Sequence, residues 1–286
     1  MGTRRTLVLA TLAAVAATAL VAVPGASAGA NHEVTRTAGA VGATLSWRGD
    51  FAETKNFRIQ ISRDNVVLVS EPVRVEDCGE PIRGYACPWP VGDSPLEIRD
   101  LDADGEPEVI VRAFTGGAHC CVVALIYRWT GGEYVSSERN FFGAAWTLKD
   151  FDQDGIVEFR TSDYRFDFLY GSHAESVFPI QIMRFDAGSF TDVTREFPKQ
   201  VGRDARLLGR EYERRAETRK RLGVRSALAA YVADLYLLGG KRDANRVLKD
   251  ALEKGVLERN RFGPGPWGRK FVRHLKRTLD RFGYIE

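Results

Sequence analysis

At 286 residues, with 41 Lys and Arg against 38 Asp and Glu, the chain has the length for one large or two modest domains and a net charge of only +3. Past the first thirty residues no apolar run approaches the roughly 18 needed to cross a bilayer, so no transmembrane segment is expected in the mature chain. The near-neutral total hides a division: residues 31–198 carry 16 basic and 27 acidic side chains, residues 199–286 carry 23 and 11, and this sets a domain boundary near Pro198.

Read in chain order, residues 1–28 have the form of a signal peptide. Arg4 and Arg5 give a positive start, Leu7 to Val23 is apolar, and Ala26-Ser27-Ala28 supplies a small-x-small cleavage signal. Export through the general secretory route or the twin-arginine route fits the same residues. With cleavage near Ala28 and no cysteine beside it, the mature protein is expected to be secreted rather than lipid-anchored.

Residues 29–198 read as strands. "ATLSW", "FRIQIS" and "VVLVSEPV" are rich in β-branched and aromatic residues, and Arg63-Asp64-Asn65 between the last two has hairpin-turn chemistry. A proline-rich loop carrying Cys78 and Cys87 follows. Then a unit of about fifty residues repeats: "PLEIRD", an acidic loop, "EVIVRAF", "CVVALIYRW" and "EYVSSERN", and again "AWTLKD", an acidic loop, "VEFRTSD", "VFPIQIMRF" and "SFTDVTREF". The second copy carries an insertion, "YRFDFLYGSHAES". Residues 199–286 read as three or four helices, with 226–239 apolar enough for a buried core helix and apolar residues at helical spacing in 242–255 and 269–282. The expected fold class is α+β: a mainly antiparallel β domain of two blade-like units and an N-terminal hairpin, forming an incomplete propeller or a sandwich, then a small basic helical domain.

The acidic loops carry the chemistry. "DLDADGEPEV" and "DFDQDGIVEF" place carboxylates at positions 1, 3, 5 and 9: Asp100, Asp102, Asp104 and Glu108, then Asp150, Asp152, Asp154 and Glu158. Gly105 and Gly155 occupy position 6, where a sharp bend would turn the carbonyls of Glu106 and Ile156 inward. Calcium takes six to eight hard oxygen ligands in a flexible shell, and these oxygens meet that need. An EF-hand is excluded, because position 12 is Val111 in one copy and Thr161 in the other and the flanks are strands rather than helices.

D-x-D-x-D-G-x-x-E between strands resembles the calcium loop of FG-GAP/VCBS-type repeats, familiar from integrin-like β-propellers and secreted bacterial proteins. The resemblance spans about residues 95–197. It implies these ligand roles and four-stranded blade-like units. It does not imply a complete propeller, which needs four or more blades.

The four cysteines, Cys78, Cys87, Cys120 and Cys121, allow three connectivities in an exported chain. The preferred pair is Cys78–Cys87, which leaves Cys120 and Cys121 vicinally bonded or free, and crossed pairing is the rival. "TGGAHCC" also admits a transition-metal or nucleophilic site at His119, Cys120 and Cys121. His32, His173 and His274 read as isolated. "REYERRAETRKR" and "GRKFVRHLKRTLDR" are basic enough for an anionic membrane or wall polymer, while export argues against nucleic acid. No catalytic motif is found. The expected function is an exported, calcium-binding, non-enzymatic binding or structural module with an extracellular ligand or cell-envelope polymer as partner. The alternative is an exported hydrolase or thiol-dependent enzyme that uses calcium as scaffold, with its site near Gly116–Cys121.

Overall fold

The computed structural model describes residues 29–76, 78, 87–117, 119, 121–259 and 265–285. The signal peptide expected over residues 1–28 lies outside them, as does Cys120. Thirteen strands form three antiparallel sheets, followed by four helices. The first sheet is a meander of β1 (Asn31–Ala38), β2 (Val41–Arg48), β3 (Lys55–Arg63) and β4 (Val66–Pro72). The second holds β5 (Trp89–Pro90) and β6 (Leu96–Arg99), both paired to β7 (Glu108–Phe114), then β8 (Val122–Trp129) and β9 (Tyr134–Asn140). The third is β10 (Thr147–Lys149), β11 (Glu158–Ser162), β12 (Ile180–Asp186) and β13 (Ser189–Asp192).

The N-terminal unit is therefore a four-stranded sheet and not a hairpin alone. Strand β1 exposes most of its side chains and pairs with β2 over its whole length. Between β3 and β4 the chain turns on Asp64 and Asn65, both at positive φ (50° and 64°), as a two-residue hairpin loop requires.

The sheets stack in chain order, and the sequence of the middle one shows why. A strand with one wet face alternates apolar and polar residues, whereas "EVIVRAF" and "VVALIYRW" are nearly continuous apolar runs, as strands buried on both faces are. Val109, Val111, Val123 and Leu125 pack on Leu45, Ile59 and Ile61 of the first sheet. Their neighbours Ile110, Ala124 and Ile126 point the other way, onto Trp146, Phe159, Met183 and Phe185 of the third sheet side. The far face of the third sheet presents Ile180 and Ile182, which are covered by Phe197 and Val201.

Val201 belongs to α1 (Pro198–Glu217), which starts with proline in its first turn, where a missing N–H costs nothing. Helix α2 (Val224–Leu237) is apolar nearly all round and buried. With α3 (Lys241–Glu253) and α4 (Gly268–Arg281) it encloses a core that also takes in Phe166 and Tyr170 from the insertion. The charge boundary at Pro198 thus coincides with the start of α1, but apolar packing runs across it. Arg195 reinforces the crossing by donating to the carbonyls of Leu237, Gly283 and Tyr284. Among the described residues no helix is long and apolar enough to cross a membrane.

Candidate metal centre

Each acidic loop joins the first two main strands of its sheet, β6 to β7 and β10 to β11, and the two have the same backbone. Ala103 and Gln153 at position 4 have φ of 61° and 66°, and Gly105 and Gly155 at position 6 have 87° and 93°. The position-6 amides donate to the position-1 carboxylates, Gly105 to Asp100 at 3.0 Å and Gly155 to Asp150 at 3.1 Å. Glutamates Glu108 and Glu158 open β7 and β11 and reach back to accept from the amides of Leu101 (2.9 Å) and Phe151 (3.2 Å). The loops touch: the amide of Val157 donates to the carbonyl of Leu101 at 2.9 Å.

This geometry gathers Asp100, Asp102 and Glu108 in one cluster and Asp150, Asp152 and Glu158 in another, each with ligand oxygens within 4.8 Å of one another. Either cluster could hold a metal ion. Asp104 and Asp154 lie outside these two groups and keep Oδ2 clear of the turn. Each accepts from the amide two residues on, Glu106 (2.8 Å) and Ile156 (2.9 Å), so the third aspartate of each loop caps the bend. The side chain of Glu106 points elsewhere, paired to Arg63 at 2.6 and 2.9 Å.

The first cluster is electrostatically unfinished. Glu108 is 0% exposed, and its Oε1, like Asp100 Oδ1, is buried without a hydrogen-bond partner. Burial first, then the nearby Asp102 and Asp104, push the Glu108 carboxyl up to about 8 against the pull of the Leu101 amide. Asp102 is also raised, by burial and by Asp104. A buried charge without a partner is costly, and a cation supplies what these oxygens lack. In the second cluster, burial again raises Glu158, but the Phe151 amide and Arg184 oppose it. Desolvation would raise Asp150 as well, yet the amides of Gly155 and Gln153 outweigh it and hold the carboxyl below its ordinary range.

Cys78 and Cys87 form a disulfide, and Cys121 is also disulfide-bonded. His32 stacks on Trp47 at 5.1 Å, and His274 shares a 2.9 Å hydrogen bond with the Tyr170 hydroxyl. His173 is not isolated. Its Nδ1 lies 3.0 and 3.1 Å from the two oxygens of Asp167, and its ring is 4.1 Å from that of His119. Tyr164 donates to the His119 carbonyl at 2.7 Å, and Phe168 packs edge-on to His119 at 5.7 Å. No local spacing announces this cluster, because residue 119 and residues 164–173 meet only when the second and third sheets stack. The basic helix α4 turns its apolar residues Phe271, Leu275 and Leu279 into the core, so they are unavailable to a membrane. Its exposed face keeps Arg269, Lys270, Arg273 and Arg277.

No protein-family pattern matches the chain, and no solved structure matches it. Among curated proteins it is similar to a probable thylakoid lumen protein of Synechocystis, 30% identical over 162 residues, which are 55% of this chain and 47% of that one. It is also similar to an uncharacterized protein of Sinorhizobium fredii, 30% identical over 118 residues, 40% of this chain and 18% of the other. The chain spans about half the length, or less, of these relatives.

Proposed function

We propose that the chain is an exported, calcium-stabilised binding or structural module of FG-GAP/VCBS type. The observation that carries this is the pair of buried, unpartnered oxygens, Asp100 Oδ1 and Glu108 Oε1, in a carboxylate cluster at the start of a strand. An all-oxygen donor set without cysteine or histidine suits a hard cation, and a bent loop with spare carbonyls at Glu106 and Ile156 suits calcium better than the strict octahedron of magnesium. Extracellular calcium modules bind at about 10⁻⁴ to 10⁻³ M, so the ion would rigidify the loop-bearing end of the sheets rather than signal. The Cys78–Cys87 disulfide supports export, and so does the likeness to a probable thylakoid lumen protein of Synechocystis. The exposed basic face of α4 would meet an anionic envelope polymer.

The test is calorimetric titration with calcium alongside melts in calcium and in chelator. Saturable heat with a raised melting temperature supports the reading; no heat and no thermal shift up to several millimolar would return both loops to ordinary turns. The Asp167–His173 pair beside His119 favours one alternative, a hydrolase with His173 as general base. Cys121 is disulfide-bonded and offers no thiolate to it. Chromogenic ester and glycoside substrates would be the probe: turnover lost in His173→Ala at unchanged melting temperature would favour the enzyme, and no turnover by the unmodified protein would dismiss it.

A further inference from the structure

The two acidic loops share a sequence pattern and a backbone, yet their oxygens differ in what they already hold. In the first, Asp100 Oδ1 and Glu108 Oε1 have no partner. In the second, both equivalents are taken. Asp150 Oδ1 accepts from the Gln153 amide at 2.6 Å, and Glu158 Oε1 accepts from Arg184 Nη2 at 3.1 Å. Register alone does not explain this: the Val109–Tyr127 pairing sets Arg128 opposite Glu108 one step on, yet no ion pair joins those two, and the contact is made only in the third sheet. There Arg184 of β12 sits directly opposite Glu158 of β11, and its guanidinium closes onto the cluster. The same arginine also pairs with Glu196 at 3.2 Å. The arginine that reaches the first loop, Arg63, is engaged by Glu106, whose side chain stands outside the cluster.

We propose that the loops are not equivalent: the first is the calcium site, and Arg184 is a built-in counter-ion that holds the second in shape without an ion. This rests on the calcium reading above. An ion entering the second loop must displace Arg184 from Glu158 and then sit beside a guanidinium of like charge. Losing one charge-assisted hydrogen bond makes that site about ten- to a hundredfold weaker than the first. The second loop then serves as a brace, since its Val157 amide holds the Leu101 carbonyl one residue past Asp100.

Calorimetric titration of the full chain with calcium chloride tests this. The unmodified protein should bind about one equivalent tightly, with any second event at least tenfold weaker. Asp100→Asn should abolish the tight event and Asp150→Asn should leave it. Glu108→Gln is the second variant for the first loop, and circular dichroism in chelator checks that each variant is folded. Arg184→Met should bring a second tight equivalent and should melt lower in chelator, with calcium restoring it, because Glu158 would otherwise be buried unpaired. Two equal events in the unmodified protein would overturn the proposal while leaving the calcium reading intact. So would loss of the tight event in Asp150→Asn but not in Asp100→Asn, or an unchanged stoichiometry in Arg184→Met. No heat and no thermal shift at all would sink the calcium reading and this proposal with it.

Discussion

Two buried carboxyl groups stand out at the scale of single residues, and they pose different problems. Glu108 is buried among other acids at the end of an open loop, where an ion can relieve it. Asp234 is not so placed. It lies within α2, 0% exposed, and its carboxyl meets that of Asp204 on α1, close enough to share a proton. Burial, and then the Asp204 charge, raise its carboxyl well above the ordinary range; burial raises Asp204 too, against the hydrogen bond with Asp234, the Arg160 guanidinium and the Ile180 amide. The native state therefore holds a proton that the unfolded chain releases at about pH 4. Stability from this pair is fully present below that pH and falls as pH rises toward the elevated native value. Asp234→Asn, which keeps the shape and removes the charge, should stabilise the protein by about 1–3 kcal/mol at pH 7 and leave it nearly unchanged near pH 4. Denaturation midpoints at the two pH values check this, and an equal gain at both would mean that proton linkage is not the cause.

Elements are held by faces, and α4 shows how a charged helix can still be a core helix. Arg and Lys supply six of its 14 residues, yet Phe271, Leu275 and Leu279 are all 0% exposed. Leu275→Ala should cost about 2–5 kcal/mol, the range for truncating a buried leucine. Arg273→Ala, on the solvent side of the same helix, should stay within about 0.5 kcal/mol. Urea melts with unchanged slope measure both, and equal costs would contradict the assignment of faces. Helix α1 shows only a thin apolar stripe, because only Val201, Ala205, Leu208 and Gly209 are buried in its 20 residues. The last of these is close to the Tyr231 ring of α2, where an added Cβ would stand 3.2 Å away. Strand β1 gave less still: "NHEVTRTA" buries no side chain fully, and its backbone pairing to β2 is what makes it a strand.

Across the whole molecule, three sheets and a helical layer form a stack in which each layer covers the next. A four-stranded sheet in the third position has two apolar faces to hide, one against the second sheet and one outward. Helices α1 and α2 supply the outer cover through Val201 and Leu237, where a further sheet would otherwise be needed. A chain cut to residues 29–197 would leave Ile180, Ile182, Phe166 and Tyr170 bare, all of them at most 4% exposed in the intact protein. Such a fragment should lose its near-ultraviolet dichroism and bind a hydrophobic dye, as loosely packed states do. A cooperative melt from the fragment would show instead that the sheets stand alone. The disulfide and the acidic loops sit in the sheet half, so calcium should raise the melting temperature of the intact chain without rescuing the fragment.

The residues by themselves determined a good deal. Runs of β-branched and aromatic residues marked the strands, apolar content and helical spacing marked α2 to α4, and the repeated D-x-D-x-D-G-x-x-E marked both acidic clusters and their strand context. All of these are local signals, written within ten or fifteen consecutive residues. What the local pattern could not carry was decided by contacts between distant segments. The turn geometry bonds one oxygen of each loop's third aspartate to the backbone, and strand pairing sets an arginine opposite each glutamate, Arg128 and Arg184, of which only Arg184 makes the contact. Sheet stacking brought His119 to His173, and helix packing set Asp234 before Asp204. Two loops with one sequence pattern thus differ in charge balance, because balance depends on whether the arginine of the neighbouring strand closes onto the glutamate, and that is a property of the fold.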